Sequence, residues 1–172
     1  MNIRIVSTLI ACLALPFAPA ALAGPYVGLG IGTVDLDTPG FEDPRSLEII
    51  GGYDFSRNFA FEVSYIDIGD ASDNIPPEWI LSGDTLTFGI LGKLPITPEF
   101  EIHGKFGFHK WDLTLRERGF GTIASDDGTD LFFGFGATYH FPAGFGVGGR
   151  YMLYDVDGSD ISVLSANLLY AF

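Results

Sequence analysis

The chain has almost no cysteine, little positive charge and no long apolar run outside its first residues. Its single cysteine, Cys12, lies in a stretch that reads as a leader. The remainder therefore has no thiol, which excludes disulfide staples and thiolate metal centres there. Lysine and arginine together number 9 against 22 aspartates and glutamates, for a formal net charge of −13. A surface so acidic repels phosphate backbones and excludes nucleic acid as a partner. Beyond the leader no stretch of 18 apolar residues occurs, so no transmembrane helix is expected. Helical periodicity is missing throughout. What is present instead is 23 glycines and 16 phenylalanines in a chain that is 47% hydrophobic.

The first 23 residues have the layout of a secretory signal. Arg4 supplies the positive start, residues 5–15 the apolar core, Pro16 a break, and Ala21-Leu22-Ala23 a small-x-small cleavage site before Gly24. Leu9-Ile10-Ala11-Cys12 also has the form of a lipoprotein processing box. Against lipidation, few apolar residues precede Cys12, and 13–23 continue like an uncut signal. The reading is a cleaved signal peptide over 1–23 and one folded domain over 24–172.

That domain alternates apolar and polar residues with period two, the signature of strands with one greasy face. Eight strands are expected, over 26–34, 47–55, 59–66, 85–94, 99–111, 130–141, 145–154 and 161–172. The last is the clearest. Counting back from Phe172 gives Tyr170, Leu168, Ala166 and Leu164 on one face, with Asn167 and Ser165 on the other. The connections alternate long and short. Residues 35–45, 67–84, 112–129 and 155–160 read as long acidic loops at one end, and the turns near 56–58, 95–98 and 142–144 as tight ones at the other. This predicts an all-β fold, an eight-stranded antiparallel up-and-down barrel.

Alternation alone does not separate a transmembrane barrel from a soluble one, because the pattern inverts. Most acids fall in the connections, so the polar face consists largely of Gly, Ser, Thr and Ala, too few charges for a solvated exterior. Small residues suit the narrow interior of an eight-stranded barrel, which cannot hold so many Phe and Tyr rings. The greasy face is therefore expected to meet lipid, making this a transmembrane β-barrel.

Residues 59–69 (FAFEVSYIDIG), 102–107 (IHGKFG), 126–139 (DDGTDLFFGFGATY) and 149–157 (GRYMLYDVD), with the terminal Phe172, resemble the OmpA-type eight-stranded outer-membrane domain. The resemblance spans nearly all of 24–172. It implies an outer-membrane location, a monomer, contact with outer-membrane lipids including lipopolysaccharide, and no cofactor. It departs from full-length OmpA by stopping at the barrel, without a peptidoglycan-binding domain. Phe172, Tyr170 and Leu168 resemble the terminal signal read by the outer-membrane assembly machinery.

Glu62, Lys105 and Arg150 share the inward face near mid-height, and Glu48 can join them, giving two acids against two bases. Charges in a narrow bore must pair. The resemblance implies an interior salt-bridge network of this kind, read either as a structural plug or as a switchable gate. Some barrels of this size are lipid-modifying enzymes, but His103 and His109 face inward, and His140 lacks a neighbouring serine nucleophile. No catalytic residue and no metal ligand is assigned. The run from Asp126 to Asp130 lacks the spacing of a calcium loop. Trp79 and Trp111 are expected in an aromatic girdle at the outer end. The functional expectation is a non-enzymatic role in envelope integrity or surface interaction. A narrow solute channel, or an adhesin or resistance factor working through the acidic loops, are the alternatives.

Overall fold

The computed structural model describes residues 24–35, 43–72, 79–117 and 119–172. The signal-peptide reading, with Cys12, lies outside the described residues, as do parts of two expected loops, 36–42 and 73–78. The strands are β1 (Gly24–Asp35), β2 (Arg45–Asp54), β3 (Phe59–Ser72), β4 (Trp79–Pro95), β5 (Phe100–Glu117), β6 (Gly121–His140), β7 (Phe145–Val156) and β8 (Ser159–Ala171). Each pairs antiparallel with its sequence neighbour. β8 closes the ring against β1, from Tyr26 opposite Ala171 to Asp35 opposite Ser162. Closure leaves no edge at membrane depth, where an unpaired backbone group would find no water.

The tight turns follow from local chemistry. The hydroxyl of Ser56 accepts from the backbone N–H groups of Asn58 and Phe59, and that of Thr97 from Glu99 and Phe100. Such side-chain bonds stand in for ladder bonds where a strand reverses. At the opposite end β7 and β8 are joined by Asp157-Gly158, both at positive φ (50° and 79°), the pairing that a two-residue hairpin favours.

Rings point outward and small residues inward. Phe135 is 64% exposed and Phe106 58%, whereas Ser64, Thr87 and Thr138 are buried. Across β3, β4, β5 and β6, one exterior row runs Val63, Phe88, Phe108, Leu131. Four residues further along each strand, roughly 13 Å, the corresponding row is Asp67, Asp84, Asp112, Asp127. A face that changes from phenyl rings to carboxylates over that distance marks the boundary between acyl chains and water.

The structure corrects several expectations. Residues 112–129 do not form a long loop: β5 and β6 stay paired to Glu117 opposite Gly121, with a turn at Gly119-Phe120. β3 likewise runs to Ser72, β4 starts at Trp79, and 155–160 is a tight hairpin. Above the membrane both sheet faces meet water, so alternation fades there while the backbone ladder persists. The outer parts of β3 to β6 are polar strand that stays paired. Asp126 and Asp130 share one face of β6, four residues apart, and Asp127 lies on the other, so the three cannot close round one cation.

Trp111 faces inward, 5% exposed, and donates to Asp130 (Nε1 to Oδ2, 2.7 Å); it is not part of an outer girdle. Trp79, half-buried, opens β4. The rings instead gather at the turn end, where Phe55 lies against Phe59, Tyr139 against Phe141, and Tyr170 against both Phe145 and Phe172.

Candidate functional site

The bore is filled in three storeys. The middle one is organised by Glu62 of β3, which is fully buried. Arg150 of β7 donates to both its carboxylate oxygens, Nη1 to Oε1 at 2.7 Å and Nη2 to Oε2 at 3.0 Å. Lys105 Nζ of β5 lies 2.7 Å from Oε1, and the Tyr26 hydroxyl of β1 donates to Oε2 at 2.9 Å. Lys105 also reaches Ser64 and Thr87, whose hydroxyls are 2.7 Å apart. Four strands thus converge on one carboxylate, whose lone pairs are all met. In so dry a site this is the condition for holding the charge.

Glu62, Lys105 and Arg150 are brought together; Glu48 is not bonded to either cation. It lies in the same storey and accepts from Asn167 Nδ2 of β8 at 3.1 Å. Two cations against Glu62 leave one positive charge, which the Glu48 carboxylate balances from across this storey. Tyr26 and Asn167 were missed in the sequence. Tyr26 shares the phase of the inward Gly28 and Gly30 in β1 and Asn167 that of Ser165 in β8, but phase says nothing of their partners.

Glycines give the network its room. A Cβ on Gly52 would run into the Tyr26 ring, one on Gly89 would press on Lys105 and Phe132, and one on Gly136 on His103 and Arg150. On Gly30 it would meet Glu48 and Asn167. Each large polar side chain occupies space vacated by a glycine on a neighbouring strand, as an eight-stranded bore requires.

Above this storey lies an apolar cluster that the alternation pattern hid: Val34, Ile66, Phe132, Met152, Tyr154, Ile161 and Val163. His109 belongs to it. Its ring nitrogens face Thr85 Oγ1 (2.9 Å) and the Asp155 carbonyl (2.8 Å), and its ring meets Tyr154 edge-on. It is held as a packing group. Below, toward the turns, Lys93 bonds Asp54 (2.6 Å) and neighbours Glu101 (3.8 Å), which His140 approaches at 3.5 Å. His103 is buried there with both ring nitrogens unpartnered. Among the described residues no group of three or more His, Cys, Asp or Glu could hold a metal ion.

On the exterior, the row Asp67, Asp84, Asp112 and Asp127 crosses β3 to β6 at the outer boundary. Burial, then the neighbouring charge of Asp112 and, less, Asp67, raises the Asp84 carboxyl above its ordinary range, against the bond it accepts from Tyr65. Phe172, Tyr170 and Leu168 all point outward at the turn end.

The family model described as outer membrane protein beta-barrel domain matches residues 5–172. No curated protein sequence matches. Among solved structures, Neisserial surface protein A superposes with a TM-score of 0.70 at 14% identity, over 87% of this chain and 99% of that one. The N-terminal β-barrel domain of OprF from Pseudomonas aeruginosa gives 0.65 at 12%, over 87% and 99%. Ail, the attachment invasion locus protein of Yersinia pestis, in complex with the heparin analogue sucrose octasulfate, gives 0.59 at 16%, over 87% and 97%. At these identities the likeness is one of fold.

Proposed function

The chain belongs to the outer membrane protein beta-barrel domain family, and from that premise we propose that it is a non-conducting surface protein, its bore a structural plug and its outer sheet the working part. It is exported by a signal peptide over 1–23, delivered to the assembly machinery through Phe172, Tyr170 and Leu168, and held as a monomer among outer-membrane lipids, lipopolysaccharide included. It is not an enzyme.

The observation that carries the reading is the double closure of the bore. The Glu62 network crosses it, and the cluster around Phe132 and Tyr154 fills it again nearer the outside. An ion would have to displace a satisfied charge network and then cross an apolar layer, each costing several kcal/mol. With transport disfavoured, the investment of residues in β3 to β6 above the membrane boundary points to interaction outside the cell. Ail, named for attachment and invasion, shares the fold.

Two experiments test this. Purified protein in planar bilayers should be electrically silent; steady unitary openings would sink the plug. A variant with 113–125 replaced by a two-residue turn should still shift its gel mobility on boiling. If it fully repairs a permeability defect in a strain lacking the protein, the role is envelope integrity and the surface reading fails.

A further inference from the structure

The two walls of the barrel differ in height on either side of one strand. β6 has 20 residues and β7 has 12. On its β5 side β6 is paired along its whole length, from Gly121 opposite Glu117 to Tyr139 opposite Phe100. On its β7 side pairing begins only at Phe132 opposite Tyr154. Above Leu131, β6 has no ladder partner on that side among the described residues. The opening begins where lipid ends: Leu131, Phe133 and Phe135 are the exterior residues just below it, Thr129 and Asp127 those above. The sheet is closed as far up as an acyl environment demands and left open beyond.

The side on which the free groups point follows from the register. His140 N–H donates to Glu99 on the β5 side, and Phe141 N–H to Phe145 on the β7 side. The pairing of β6 with β5 is continuous from Ala124 to Tyr139. Backbone groups alternate along a strand, so Ser125, Asp127 and Thr129 turn their N–H and C=O toward the gap, while Leu131 lies at the last rung of the β7 ladder. Three donors and three acceptors in line make a template for an added strand.

We propose that this edge of β6 docks an extended, basic segment of a partner protein outside the cell. The proposal rests on the surface-interaction reading and names the partner's chemistry. Charge decides the occupant. Asp126, Asp127 and Asp130 lie along the edge, and β6 has no lysine or arginine. Across the gap the β7–β8 hairpin adds Asp155, Asp157 and Asp160, while among the described residues the cations of the extension, Lys110 and Arg116, sit one strand away on β5. A second copy of this edge would set aspartates against aspartates, which destabilises a strand pair. The same charges thus block self-association, the usual hazard of an open edge, and admit a strand carrying lysines or arginines. Phe120, 84% exposed, and Ile123 stand at the tip, where they would meet apolar side chains of the added strand.

The test uses the full chain in lipid nanodiscs and two labelled peptides, an alternating Lys-Val octamer and its Glu-Val counterpart, read by fluorescence anisotropy. Saturable binding of the basic peptide, at least tenfold tighter than the acidic one, is expected. D127P/T129P removes two free donors without touching the β5 ladder, since proline is tolerated on the outer side of an edge strand. It should keep the gel shift and lose at least tenfold in affinity. The basic peptide N-methylated at alternate residues, tried in both phases on the unaltered protein, should lose binding in the phase that pairs. Equal binding of both peptides, no binding of either, or indifference to N-methylation in both phases overturns the proposal; the last leaves only charge attraction. Bilayer silence and the behaviour of the shortened hairpin are independent of this result, so its failure leaves the surface reading to be judged on those experiments.

Discussion

Glu62 and Arg150 stand on opposite walls of the barrel, β3 and β7, and meet across its diameter through two parallel hydrogen bonds. Three strands lie between them in either direction round the ring. The pair is therefore a strut as well as an ion pair, joining segments 88 residues apart in the chain that share no ladder bond.

Removing the acid should be worse than removing any one of its partners. Glu62→Ala leaves Lys105 and Arg150 buried without their carboxylate, and breaking a buried pair in this way costs about 3–5 kcal/mol. Urea unfolding in lipid vesicles should show the loss. Tyr26→Phe deletes one hydrogen bond to an oxygen that Arg150 still contacts, and should cost about 1.5–3 kcal/mol. If the two variants unfold at the same urea concentration, the strut has no special weight.

Neighbouring glycines should respond oppositely to one added methyl. At Gly52 a Cβ meets the Tyr26 ring, while at Gly51, on the other face, it meets nothing within 4 Å. Gly52→Ala should destabilise by about 1–3 kcal/mol through overpacking, and Gly51→Ala should be neutral or slightly stabilising. The comparison needs only two point variants and one denaturant series.

The lipid-facing wall should reject charge and the outer extension should accept it. Phe133→Arg sets a guanidinium among acyl chains and should cost about 2–4 kcal/mol if it lies near the bilayer centre. Thr129→Arg, on the same face four residues further out, should change stability little. Equal penalties would misplace the membrane boundary drawn between these two positions.

The outer aspartate row predicts a pH dependence. The Asp84 carboxyl titrates higher in the folded protein than in an unfolded chain, because burial and the Asp112 and Asp67 charges disfavour its ionised form. The folded state thus binds this proton more readily, so the group is destabilising above its folded pKa and the penalty disappears as pH falls through it. Asp84→Asn keeps the acceptor for Tyr65 and removes the charge. The variant should melt higher than the parent at pH 7, and the difference should shrink toward zero near pH 3. A difference independent of pH would mean that charge is not its source.

How much was legible beforehand can be judged from particular residues. Phe135 and Phe106 declare their face through alternation with glycines, and that repeated pattern was enough for eight strands, a barrel and an outward greasy wall. Glu62, Lys105 and Arg150 could be gathered because charges inside a narrow bore must find one another. Glu48 shows the limit: its face was right and its partner, Asn167, was not foreseen. Trp111 shows another: an aromatic at the outer end suits a girdle, yet its phase, shared with His109 and Lys105, sets it inward.

The amino-acid order by itself determined which side of each strand meets lipid, because side-chain direction repeats every two residues whatever the strand pairs with. Height and neighbour were decided only by the closed tertiary structure. How far β6 rises past β7, which carboxylate Arg150 meets across the bore, and where an edge is left open all depend on the register between strands. Register is a collective property of the ring: backbone groups in lipid must pair all the way round, and no single segment contains that constraint.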